Sequence, residues 1–194
     1  MKSISVRRVI VAAFATGAFT FALAAEPEKL ALVYDASAMD VVPTILPGAC
    51  LLNVVSIADQ RTNQESISAD IPILAGAPNV WVGNGLSSLK AYGYGVQQST
   101  SPLPDAVNLD LELIRSYTWF GNMRINGMVA MDIGVTPVGG ERKVQKFRAS
   151  GSKANMWGAT SEHLTTLNYA FNNVANKLAL ALQSACAESK TAAK

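Results

Sequence analysis

The sequence predicts an α+β domain: a largely antiparallel sheet of about five or six strands, ending in a three-strand meander, covered by two helices of which the longer is C-terminal. Three observations lead there. Residues 107–151 hold three successive apolar/polar alternating runs broken by two turn signals, and alternation of period two marks strands with one face buried. Residues 161–185 carry Leu164, Leu167, Phe171, Val174, Leu178, Leu182 and Ala185 at spacings of three and four, the stripe of an amphipathic helix. The lengths also match, since about 24 helical residues reach roughly 36 Å and a 12-residue strand roughly 40 Å.

The elements follow in chain order. Lys2, Arg7 and Arg8 precede an apolar run from Val9 to Leu23 and then Ala22-Leu23-Ala24, the pattern of a secretory signal peptide over residues 1–25. The run is shorter than the roughly 20 residues that span a bilayer. The domain is expected over residues 26–187, with a flexible tail at 188–194. Leu30–Tyr34 reads as a short edge strand before Pro43 and Pro47. Leu51–Ile57, continuously apolar, reads as a buried strand emptying into the polar segment Ala58–Gln64. Ile67–Leu74 adds an extended piece despite Asp70 and Pro72. Pro78 opens a helix with Val82, Leu86 and Leu89 on one side, and Gly93 closes it. Tyr94–Gln98 is then a strand that this intervening helix allows to lie parallel to Leu51–Ile57. In the meander Val107, Leu109, Leu111 and Leu113 oppose Asn108, Asp110 and Glu112, and Ile125, Val129, Met131, Ile133 and Val135 share the inner parity of the next strand. Pro137-Val138-Gly139-Gly140 turns into the third, with Phe147 and Ala149 inward.

Charge excludes one class of function. The chain has 16 basic and 14 acidic residues, but removal of residues 1–25 takes three basic ones and leaves a net charge of −1. The basic excess belongs to the export segment, so no nucleic-acid partner is expected. Cys50 and Cys186 are the only cysteines; in an oxidising compartment they are either joined or a pair of buried thiols. With a single histidine and no short ligand spacing, no metal and no cofactor are expected.

Chemistry has few places to sit. Ser161-Glu162-His163 lists a triad's residue types, but adjacent helical side chains diverge, so His163 is expected to be a solvated first-turn residue. Asp59, Asp70, Asp110, Glu112 and Asp132 are the carboxylates available to acid–base work, and alternation puts Asp110, Glu112 and Asp132 on the polar side of the sheet. Gly83-Asn84-Gly85 begins like a phosphate-binding turn, with Ser88 where a third glycine belongs. Arg142, Lys143, Lys146, Arg148 and Lys153 make a basic run suited to edge protection or to anionic headgroups. Trp119, Phe120 and Trp157 are read as core packing, with a shallow apolar site as the alternative. Asp59, Gln60 and Arg61 form the candidate recognition loop, in which Arg61 either pairs an external carboxylate or phosphate or bonds a loop carbonyl while Asp59 caps the turn.

Ala58-Asp59-Gln60-Arg61-Thr62-Asn63-Gln64 resembles the strand-ending segment of the YajG family of small lipoproteins assigned to the cell envelope. Leu89-Lys90-Ala91-Tyr92-Gly93-Tyr94, Val107-Asn108-Leu109 with Asn122-Met123-Arg124, and Phe147-Arg148-Ala149-Ser150 are similar in the same order, so the likeness runs from about Leu30 to Leu182. The resemblance implies an envelope protein and brings no catalytic residues. The family's acylated lipobox cysteine is replaced here by Ala24-Ala25-Glu26, which favours a periplasmic protein peripheral to the outer membrane over a lipid-anchored one. The reading is an exported, non-enzymatic accessory or binding protein whose partner is an envelope protein or cell-wall component. Its alternatives are a small periplasmic hydrolase using clustered carboxylates and a subunit of an envelope assembly.

Overall fold

A computed structural model describes residues 29–38, 42–68, 74–154 and 160–192. The expected signal peptide, Asp70 and Trp157 lie outside the described residues. The elements are β1 (Lys29–Leu30), β2 (Leu51–Asp59), β3 (Leu74–Ala75), α1 (Pro78–Leu86) continued by a 3₁₀ turn (Ser87–Tyr92), β4 (Gly95–Gln98), β5 (Val107–Gly121), β6 (Arg124–Thr136), β7 (Lys143–Ala154) and α2 (Ser161–Ala192). Five strands form one sheet in the order β4-β2-β5-β6-β7, while β1 and β3 make a separate parallel pair.

The α+β class, the meander and the two covering helices are as the sequence predicts. The sheet is mixed: β5–β6–β7 is antiparallel, whereas β2 is parallel to both β4 and β5. The parallel β2–β4 pair follows from the intervening helix. The parallel β2–β5 pair, with β4 on the far side of β2, was left open by the sequence, because no single connection dictates it. A polar pair fixes its register. Asn53 and Asn108 are opposite one another and bonded at 2.8 Å, and Asn108 also takes both backbone groups of Leu103 from the proline-rich linker. Buried amides left unpaired would be costly, so this network specifies alignment as well as contributing bonds.

Core residues come from every layer: Leu52 and Val54 of β2, Leu109 and Leu111 of β5, Ile133 of β6, Phe147 of β7, and Leu167, Phe171, Val174 and Leu178 of α2. Opposed glycines let α2 approach the sheet closely. Gly127 and Gly151 are register partners, and a β-carbon on Gly127 would stand 2.9 Å from the Thr166 carbonyl oxygen, while one on Gly151 would stand 2.7 Å from the Ala170 nitrogen. On its other side α2 is covered in turn. Asn168 accepts from the Trp81 indole at 2.9 Å and donates to the Val33 carbonyl at 3.1 Å, and Asn172 holds Tyr34 and the Ala38 carbonyl.

Gly83 and Gly85 lie inside α1, as the helix opened by Pro78 predicts, and not in a phosphate-binding turn; Gly85 is bare because the Phe171 ring occupies the space of a β-carbon. Residues 188–192, expected in a tail, continue α2, where Ser189 accepts from the Val138 nitrogen at 3.0 Å and ties the helix to the β6–β7 turn. Gly93 ends the 3₁₀ turn with φ +96, as its predicted stop role requires. Cys50 and Cys186 are disulfide-bonded with Cα atoms 5.6 Å apart, joining the start of β2 to the last turns of α2.

Candidate functional site

A bulge in β5 decides which of its later side chains face away from α2. Val107, Leu109, Leu111 and Leu113 face α2, but the register shifts between Leu113 and Arg115. The extra residue, Ile114, reverses the parity. Ser116 and Thr118 therefore point inward and are buried, while Arg115, Tyr117 and Trp119 join the face that no helix covers.

β2 ends at Asp59 opposite Leu113, whereas β5 runs on to Gly121, and the segment 60–68 takes the place of β2 along that edge. The Gln60 nitrogen donates to the Leu113 carbonyl at 2.9 Å, and the Thr118 nitrogen to the Ile67 carbonyl at 2.7 Å. Arg61 holds the loop together. Only 4% exposed, it pairs both oxygens of Asp59 at 2.8 and 2.9 Å and bonds the Gln64 carbonyl at 3.1 Å. Gln64 returns a bond to the Asp59 carbonyl at 2.8 Å. Of the two sequence alternatives for Arg61, the internal one is realised: its guanidinium bonds within the loop, and the Asp59 carboxylate also accepts from the Arg61 nitrogen at 3.2 Å. Gln60 is exposed.

Between this loop and the bulge lies a cleft of about 310 Å³, walled by Thr62, Asn63 and Ser66 on one side and by Ile114, Arg115 and Tyr117 on the other. Ser116 contributes to its lining, while its hydroxyl, turned inward by the bulge, is buried and has no hydrogen-bond partner among the described residues. The space is large enough for a small ligand. The cleft combines hydroxyls, an amide, one exposed guanidinium and a phenol, a set suited to a polar ligand carrying a single negative charge.

The remaining candidates separate. His163 is 2% exposed rather than solvated: the bulge turns Thr118 toward it, and Thr118 Oγ1 lies 2.6 Å from its Nδ1. Its neighbour Glu162 points to Lys153 at 2.6 Å, so Ser161, Glu162 and His163 diverge as helical geometry requires. Asp110, Glu112 and Asp132 share the open sheet face. Glu112 is directly opposite Asp132, but Asp132 is 3.6 Å from Lys146, and Asp110 takes Ser56 and, at 3.5 Å, Arg142. They sit on a flat face rather than in a cleft. Among the described residues no group of three His, Cys, Asp or Glu could hold a metal ion, and no helix is long and apolar enough to cross a membrane.

The fold is shared with a DUF330 protein. That protein, XCC0632 from Xanthomonas campestris, superposes with a TM-score of 0.58 at 10% identity, over 84% of this chain and 98% of that one. A minor lipoprotein from Acinetobacter baumannii follows at TM-score 0.40 and 10% identity, over 67% of this chain and 93% of its own. Lipoprotein GNA1162 from Neisseria meningitidis gives 0.35 and 12%, over 68% and 99%. At 10% identity, what this chain shares with the DUF330 protein is the fold alone. No family model and no curated protein matches the sequence.

Proposed function

We propose that this chain is an exported, non-enzymatic accessory or binding protein of the cell envelope, related to the YajG lipoproteins but released into the periplasm rather than acylated, and that it recognises its partner at the cleft beside the Asp59–Arg61 loop. The observation that carries the recognition reading is the cleft of about 310 Å³ between Thr62, Asn63 and Ser66 on one side and Arg115 and Tyr117 on the other, whose loop wall is held in shape by the internal Asp59–Arg61 pair. Preorganisation of this kind lowers the ordering cost of binding. Support for the envelope setting comes from the export-like N-terminus, the disulfide and the lipoproteins among the proteins of similar structure.

Two experiments test it. Fractionation of intact cells should find the protein in the periplasmic extract and, for any membrane-associated share, in the high-salt wash; retention through carbonate extraction would contradict a non-acylated protein. Cross-linking and pull-down should recover a partner whose yield falls at least tenfold when Thr62→Trp fills the cleft, and an unchanged yield would remove the cleft from recognition.

A further inference from the structure

The open face of the sheet is electrically divided along its strands. Across β5, β6 and β7 the outward rows read Glu112–Asp132–Lys146, then Arg115–Ala130–Arg148, Tyr117–Met128–Ser150, Trp119–Asn126–Ser152, and last Gly121–Arg124–Ala154. The acids occupy the first of these rows and Asp110 beyond it; the four rows towards the β5–β6 hairpin contain three arginines and no carboxylate. By contrast Arg142, Lys143, Lys146 and Lys153 each face an acid. Arg124 and Arg148 instead bond neutral acceptors, Ser152 Oγ and Met128 Sδ, and Lys177 of α2 reaches around the sheet edge to the Arg148 carbonyl at 2.7 Å. Four positive charges thus surround Tyr117 and Trp119, whose rings lie 5.3 Å apart.

Relief accompanies the charge. Two hollows of about 540 and 470 Å³ adjoin at Trp119 and Ser150; the first is flanked by Met128, Arg148 and Lys177, the second by Arg124. At the hairpin tip Met123 is 64% exposed and sits at φ +58, beside Asn122 at φ +53. Left-handed backbone at both central positions of such a turn favours Asn and Gly, so a methionine there is conformationally costly and gains nothing from burial.

We infer that the hairpin end of this open face docks on a bilayer surface rich in anionic phospholipid, Met123 and Trp119 entering the headgroup layer while Arg115, Arg124, Arg148 and Lys177 meet its phosphates. An amphipathic indole among cations, an apolar side chain projecting at the tip and an acidic region set away from the contact form the sequence of environments that an anionic membrane surface complements. An acidic protein would satisfy the arginines but give no role to the protruding methionine. The surface adjoins the cleft at the Asp59–Arg61 loop, sharing Arg115 and Tyr117 with it, and the inference depends on the envelope reading only for where such a membrane is met.

Purified protein is mixed with phosphatidylglycerol/phosphatidylcholine vesicles, or with phosphatidylcholine alone, and sedimented. Binding is expected only to the anionic vesicles. It should weaken about fivefold for each cation removed, so that Arg124→Gln with Arg148→Gln loses about 25-fold. Lys143→Gln with Lys146→Gln, the same change in net charge at acid-paired positions, should lose much less. Met123→Ser, which spares the charge, should weaken binding as well, and inorganic phosphate should compete no better than sodium chloride of equal ionic strength. Absence of binding to the anionic vesicles, equal losses from the two double variants, or specific displacement by free phosphate overturns the inference. Unchanged thermal melts keep each variant interpretable. Because vesicle binding is measured outside the cell, its failure is distinguishable from a failure of fractionation.

Discussion

Replacing Gly151 with alanine should loosen the whole domain, because the added methyl has nowhere to go. Its β-carbon would stand 2.5 Å from Tyr169 Cβ, 2.7 Å from the Ala170 nitrogen and 2.8 Å from the Thr166 carbonyl oxygen, where non-bonded carbons rest at about 3.5–4.0 Å. The obstructing atoms are backbone or bound directly to it, so no rotamer change clears them. α2 must rise from the sheet by roughly 1 Å, a gap that forfeits a quarter to a half of each affected dispersion contact. Overpacking of this kind costs about 1–3 kcal/mol, against which the stiffer unfolded chain returns about 0.4–1 kcal/mol. Gly121 provides the control: its β-carbon would meet only Asn126 Nδ2 at 3.9 Å, so Gly121→Ala should be neutral or slightly stabilising. At roughly 2–4 °C per kcal/mol for a domain of this size, the two variants should melt several degrees apart, and urea titrations should shift in opposite directions. Trimming Tyr169 to alanine should not rescue Gly151→Ala. Equal melting of the two variants, or such a rescue, would refute the argument that the Gly127–Gly151 pair sets the helix-to-sheet distance.

Other perturbations have equally definite outcomes. Cys50–Cys186 closes a loop with a sequence separation of 136; removing both cysteines should cost up to about 5 kcal/mol on the chain-entropy account, seen as a lower urea midpoint that reductant produces in the unmodified protein but not in the variant. Asp59→Ala leaves the buried Arg61 guanidinium without its carboxylate, a loss of about 3–5 kcal/mol if the loop stays closed; hydrogen exchange should show segment 60–68 opening, whereas unchanged protection there would contradict the pair's hold on the loop. Alkali should also destabilise the fold. Burial raises the phenols of Tyr34, Tyr92 and Tyr94 above their ordinary value, and the Glu162 carboxylate hydrogen-bonded to Lys153 raises that ammonium. A raised folded-state value gives stability that is complete below the unfolded value and is lost as pH climbs through the folded one, so melting temperature should fall above about pH 10. A flat profile from pH 9 to 11 would contradict these burials.

Much of this was written in local pattern, and what was not has a common cause. Alternation at Val107–Leu113 and Ile125–Val135 marks the inner face of two strands, and spacing along Leu164–Leu182 marks the helix that must cover them, because period alone tells an apolar face from a wet one. Pro78 and Gly93 likewise bracket a helical segment through backbone preferences that need no partner. Alternation also carried Asp110, Glu112 and Asp132 to the wet face correctly. It failed past Ile114: one inserted residue moved Trp119 out of the expected core and Thr118 in against His163. The adjacent apolar pair Leu113-Ile114, followed by the charged Arg115 on the parity that had been apolar, was the available signal. Other properties exist only between distant segments. In the sequence Arg61 is open between an external anion and a loop carbonyl, and only the fold shows Asp59, Gln64 and Ser66 closing around it. Arg148 belongs to a run of five basic residues, and only the cross-strand rows reveal that the other four have acids to face while it does not. Sequence determines faces and ends because those depend on neighbours a few residues away; strand order, the cleft and the division of charge depend on which distant segments the sheet aligns, and tertiary structure alone decides that.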